Sequence, residues 1–96
     1  MPIVFCSIEL YLPFCHSLKE KRNILRKAVE RSRQRSSFSI AEIGHQDLWQ
    51  RARLGAVSIG PDQQKLEALA EKMVRDIEGV IGMDASRYEI EIIDYD

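Results

Sequence analysis

The hydrophobic pattern of this chain alternates between strand-like and helix-like periods, and the order of those changes narrows the fold more than any motif does. Residues 3–12 alternate, with Val4, Cys6, Ile8, Leu10 and Leu12 on one side and Ile3, Phe5, Ser7, Glu9 and Tyr11 on the other. Period two with β-branched residues predicts a strand, and Pro13 ends it. Ser17-Leu-Lys-Glu20 is a capping box. The Ser17 hydroxyl accepts from the Glu20 N–H, and the Glu20 carboxylate reaches back to the Ser17 N–H. A helix over about 18–34 follows, with Leu18, Ile24, Leu25, Ala28, Val29 and Ser32 along one side. Phe38–Ile43 and Arg51–Ile59 read as two further strands, with Gly55 a candidate bulge. Gly60-Pro61-Asp62 is turn chemistry and offers Asp62 as an N-cap. A second amphipathic helix carries Leu66, Leu69, Ala70, Met73, Val74 and Ile77, and Gly79 and Gly82 loosen or end it. Tyr88, Ile90 and Ile92 alternate with polar neighbours in a last strand.

The order is therefore βαββαβ. Two helices with one apolar stripe each can cover one face of a four-stranded antiparallel sheet, giving a ferredoxin-like α+β fold. Right-handed crossovers set the strand order 4-1-3-2. At 96 residues the chain forms one domain, 1–96, with one core. No apolar run approaches a membrane span, and the N-terminus lacks the pattern of a signal peptide, so the cytoplasm is the default location.

Strand direction gathers distant residues. If the first strand runs up, then Pro13–Ser17, Gly44–Gln50 and Gly79–Ser86 all connect elements at the upper edge. The start of the first helix lies there too. Cys15, His16, Lys19, Lys21, Arg22, His45, Gln46, Asp47 and Trp49 are expected on one side of the molecule.

Charge is divided along the chain. Residues 1–35 carry eight Lys/Arg against three acids, and residues 36–96 carry six against twelve. All eight basic residues of the first part lie between Lys19 and Arg35. Lys19, Arg22, Arg26 and Arg33 form a stripe on one flank of the first helix. Lys21 projects instead onto its apolar side, where a long stem can snorkel past the core toward the end of the sheet. A helix N-terminus beside lysines and an arginine suits phosphate. Trp49 either stacks on a nucleobase there or folds back to plug the hairpin end. The basic stripe is either a polyanion-binding face or a solvated one.

Ser-Leu-Lys-Glu-Lys-Arg at 17–22 and Ala-Glu-Ile-Gly-His-Gln-Asp-Leu-Trp-Gln-Arg-Ala at 41–52, with Leu54-Gly55 after them, resemble the bacterial YlxP-like (DUF503) family. The resemblance runs from the first strand to Tyr-Glu-Ile-Glu-Ile at 88–92. It implies a ferredoxin-like fold. Members are often encoded beside translation-initiation and ribosome-maturation factors, which implies an RNA or ribosomal partner by association. It brings no catalytic residue or cofactor. Cys15-His16 and Arg35-Ser36-Ser37 depart from the family pattern, so Cys15 and His16 receive no functional assignment from it.

Three functions are compatible with these features. In the first, a non-enzymatic accessory protein of bacterial translation or ribosome maturation binds RNA. Its contacts are Lys19, Lys21, Arg22, Arg26, Arg33, His45, Gln46, Trp49 and Arg51. Binding in the manner of an RNA-recognition motif is not expected, because Glu9, Glu89 and Glu91 make the open sheet face negative. In the second, a homodimer forms through the open face, with Ile3, Phe5, Tyr11 and Ile93 as its apolar contacts. In the third, Glu42, His45 and Asp47 support acid–base or metal chemistry. No HExxH, CxxC, phosphate loop or nucleophile elbow accompanies them, so no metal, cofactor or small-molecule substrate is expected. Cys6 and Cys15 read as reduced packing residues, although a helix N-terminus after Cys15 can lower a thiol pKa.

Overall fold

A computed structural model describes residues 1–83 and 87–96. The elements are β1 (Pro2–Tyr11), α1 (Leu18–Arg35), β2 (Ser39–Gly44), β3 (Arg51–Ile59), α2 (Gln63–Ile81) and β4 (Arg87–Asp94). They form one antiparallel sheet in the order β2-β3-β1-β4, the expected arrangement. The central strand β1 owes its place to its pattern. Val4, Cys6, Ile8 and Leu10 are buried beneath the helices, and the alternate residues face outward on the open side. Ile40, Ala52, Leu54 and Ala56 extend this core from β2 and β3. Leu25 and Ala28 of α1 and Leu66, Ala70, Met73, Val74 and Ile77 of α2 close it from above.

Both helices begin where their caps predict. Ser17 Oγ accepts from the Glu20 N–H at 3.1 Å, and Asp62 Oδ1 accepts from the Lys65 N–H at 3.1 Å. One detail differs. Glu20 Oε2 accepts from the N–H of His16 (2.9 Å) rather than that of Ser17. Ser17 is fully extended, with φ −161° and ψ 161°, and the carboxylate meets the N–H one residue earlier. Helix α2 runs through Gly79 and ends at Gly82, whose φ of 84° suits a residue without Cβ. The expected upper-edge connection Gly79–Ser86 lies partly outside the described residues, which omit 84–86.

The bulge falls elsewhere than at Gly55. Register shifts between Glu42 and Gly44 on β2, so Ile43 is the extra residue. Alternation keeps Glu42 on the helix side and Ile43 on the open face, and the bulge brings Gly44 opposite Arg53. Gly55 pairs regularly with Ser7 and Ala41. It is glycine because Ile43 and Phe5 close over it: a Cβ there would sit 3.0 Å from Ile43 Cδ1 and 3.3 Å from Phe5 Cε2.

No helix among the described residues is long and apolar enough to cross a membrane. Both thiols are buried. Burial pushes the Cys6 pKa up to about 11. At Cys15, burial and then the Glu20 charge raise the pKa and outweigh the lowering by Lys21. The helix start therefore does not activate that thiol.

Candidate nucleic-acid interface

The loop His45–Gln50 joins β2 to β3 at the upper edge, and its shape is set by where its backbone carbonyls go. His45 adopts φ 58°, a left-handed conformation that histidine tolerates better than most residues. Its carbonyl accepts from the Leu48 N–H at 3.0 Å, closing a turn. The same carbonyl accepts from Lys21 Nζ at 2.8 Å. Lys21 also donates to the carbonyls of Gln46 (3.3 Å) and Arg51 (3.2 Å). Three ammonium protons thus meet three carbonyls. The Lys21 side chain is 1% exposed, with Glu42 Oε2 beside its ammonium at 3.1 Å. With all three donors committed, that oxygen has no directed hydrogen bond and acts as the counter-charge. Lys21 is therefore internal structure. Contrary to the sequence expectation, it does not serve as an RNA contact, because no donor is left for a phosphate.

Gln50 completes the bracing. Its Nε2 donates to the carbonyls of Pro13 (3.0 Å) and Cys15 (3.3 Å), and its own carbonyl accepts from the Leu12 N–H at 2.8 Å. Polar groups of the loop thus point inward to Lys21 and to the segment after β1. The side chains of Asp47, Leu48 and Trp49 are left outside. Trp49 is 52% exposed, so it does not plug the hairpin. With Tyr11, His16, Asp47, Leu48, Gln50 and Arg51 it lines an open cleft of about 630 Å³.

The other expected contacts separate into groups. Lys19, Arg22, Arg26 and Arg33 are exposed on α1. Arg26 Nη2 donates to Asn23 Oδ1 at 3.3 Å, and Arg33 Nη2 to the Ile40 carbonyl at 3.2 Å. Arg22, Arg26 and Arg33 border a groove between α1 and β2, floored by Leu25, Val29 and Ile40. Gln46 is exposed and donates back to the Glu42 carbonyl at 3.4 Å. His45 turns away from the cleft: its Nε2 lies 3.2 Å from Glu9 Oε2 on the open face. There Arg53 Nε donates to Glu9 Oε1 at 2.6 Å. Burial works to raise the Glu9 pKa, but the Arg53 and His45 hydrogen bonds and charges outweigh it and hold it below the usual value.

Glu42, His45 and Asp47 do not converge. Glu42 faces Lys21, His45 faces Glu9, and Asp47 lines the cleft. Among the described residues no group of three His, Cys, Asp or Glu side chains could hold a metal. The sequence places His16 and the Gly44–Gln50 connection at this edge without naming His16 or Gln50 as contacts, and it assigns Tyr11 to the dimer face. The register shows why Tyr11 belongs here: it stands opposite Arg51, at the last pair of β1 and β3.

A family described as "Protein of unknown function (DUF503)" matches residues 3–96. The chain belongs to this family. A relative, "Uncharacterized protein YlxP" of Bacillus subtilis (strain 168), is 32% identical over 72 residues, covering 75% of this chain and 78% of that one. Solved structures share the fold of this DUF503 protein. An antibiotic biosynthesis monooxygenase superposes with TM-score 0.55 at 14% identity, over 99% of this chain and 98% of the other. SnoaB, a cofactor-independent oxygenase from Streptomyces nogalater, gives 0.53 at 8% identity, over 98% and 92%. A REP-associated tyrosine transposase bound to a REP hairpin gives 0.55 at 13%, over 98% of this chain and 57% of that one. Oxygenases and a transposase on one fold decide no activity for a DUF503 chain.

Proposed function

We propose that this protein binds single-stranded RNA, as an accessory factor of bacterial translation or ribosome maturation. Bases meet the upper-edge cleft, and phosphates meet the exposed cations of α1. The observation that carries this reading is the outward placement of Trp49 in a cleft with Tyr11, His16 and Arg51. A half-exposed indole beside an aromatic ring and a guanidinium is a stacking platform, which tolerates any base. Lys19 and Arg22 stand in the first turns of α1 at the same edge, and Arg26 and Arg33 continue the positive track. The association of the family with translation factors supports ribosomal RNA as the target. The test is co-sedimentation with ribosomal particles, together with salt-titrated binding to a single-stranded oligoribonucleotide. Wild type binds and the Arg22→Glu/Arg26→Glu variant does not; equal binding by the two opposes the reading.

A second reading concerns the opposite end of the open sheet face. Register sets Ile59, Ile3 and Ile93 side by side, with Val57 and Phe5 in the next row. Ile43, Val57, Ile59 and Ile93 are exposed. A second copy of the chain suits this patch, because the same face carries Arg53 and Arg87 as well as Glu89 and Glu91. A two-fold axis can set one sign against the other. Ile43, Val57 and Ile59 join Ile3, Phe5 and Ile93 in this surface, and Tyr11 does not. Light scattering tests it: a dimer that Ile59→Lys dissociates supports the reading, and a monomer at high concentration opposes it.

A further inference from the structure

On the open face, where β3, β1 and β4 run side by side, three arginines gather around one carboxylate. Arg53 and Arg87 both stand opposite Glu9 in register. Arg51 precedes Arg53 by two residues, on the same face and about 7 Å along the strand. With His45 and Glu9 these arginines line a hollow of about 410 Å³. Glu9 engages the Nε of Arg53 at 2.6 Å, and Arg87 makes a 3.7 Å contact with the exposed Glu89. Among the described residues, the Arg51 guanidinium and the Nη groups of Arg53 have no partner. Positive charge therefore exceeds what Glu9 balances.

The surroundings define the anion. Arg51 is a wall of this hollow and also of the Trp49 cleft. The two are adjoining, and a nucleotide lying in the cleft has the arginines as its neighbours. Beyond Arg87 the same face carries Glu89 and Glu91, and then the isoleucine row. A chain of phosphates running across those acids would be repelled, so the strand ends at the arginines. A phosphate monoester carries about −1.5 to −2 at neutral pH, against the single charge of an internal diester. It also offers oxygens to several guanidinium forks at once.

We propose that Arg51, Arg53 and Arg87 receive the terminal phosphate of a single-stranded RNA whose end base stacks on Trp49. This rests on the RNA reading above. The sole tryptophan supplies the signal: its fluorescence is followed while one short oligoribonucleotide is added as the 5′-phosphate, the 3′-phosphate or with both ends hydroxyl. One phosphorylated form is expected to bind roughly tenfold or more tightly than the hydroxyl form, and which one does so names the end recognised. Arg87→Gln, whose native contact is a 3.7 Å surface pair, is expected to bring the phosphorylated form close to the hydroxyl one. Equal affinity of all three forms for wild type overturns this inference and leaves the RNA reading standing. Binding of none overturns both. A preference for phosphate that survives Arg87→Gln and Arg53→Gln overturns the assignment to this hollow.

Discussion

Lys21 Nζ lies 2.8 Å from the carbonyl oxygen of His45, and through that contact the first helix holds the hairpin that carries Trp49. The ammonium is buried, yet it satisfies two loop carbonyls and the first carbonyl of β3. A hairpin tip with inward-facing carbonyls keeps its side chains outside, which makes Trp49 available.

Lys21→Met keeps the stem and removes the ammonium. Three carbonyls and the one-quarter-exposed Glu42 carboxylate then lose their partner, a cost of about 2–3 kcal/mol, below the ~3–5 kcal/mol of breaking a fully buried pair. Urea unfolding is expected to show a loss of this size, with hydrogen exchange accelerated at residues 45–51. Glu42→Gln keeps the three carbonyl bonds and is expected to lose less. A Lys21→Met protein as stable as wild type would show that the ammonium does not hold the loop.

Trp49→Ala separates binding from folding. Because the indole is half exposed, unfolding stability is expected to change by no more than about 1 kcal/mol. Affinity for a single-stranded oligoribonucleotide is expected to fall by the worth of one stacked base, about 1–3 kcal/mol. Calorimetric titration and urea unfolding of the same sample measure both.

Glu9 predicts an acid limit to stability. Its folded-state pKa lies below the ordinary value of 4.5, so the unfolded chain binds its proton more readily. Its contribution is full above pH 4.5 and is lost as pH falls through the lower folded value. Unfolding free energy is expected to drop from pH 7 to pH 3 in wild type, and to drop less in Glu9→Gln. Parallel curves for the two proteins would contradict this.

The fold was legible because each element carries a local signal in agreement with the rest: alternation in β1, the Ser17 and Asp62 caps, and the apolar stripes of both helices. The displaced bulge was not. Ile43 and Ile40 are both apolar, so only register shows which one faces the core. Lys21 was traceable to the sheet end by helical angle. Its three acceptors were not, because backbone carbonyls leave no mark in a sequence. The arginine hollow draws on β1, β3, β4 and the hairpin loop, and the charge totals of the two chain halves concealed it. Arg51 and Arg53 already alternate onto one face, and that spacing was the available clue.

The central claim is that RNA follows the exposed cations of α1 to the Trp49 cleft. Binding of a single-stranded oligoribonucleotide to wild type and to Arg22→Glu/Arg26→Glu, measured by fluorescence anisotropy over a range of salt concentrations, tests it most directly. Wild-type affinity is predicted to fall steeply with salt, with a log–log slope of about −0.7 per phosphate contacted, and the double variant to show no binding while unfolding at the wild-type urea concentration. An equally folded variant with wild-type affinity and the same salt slope would contradict the account.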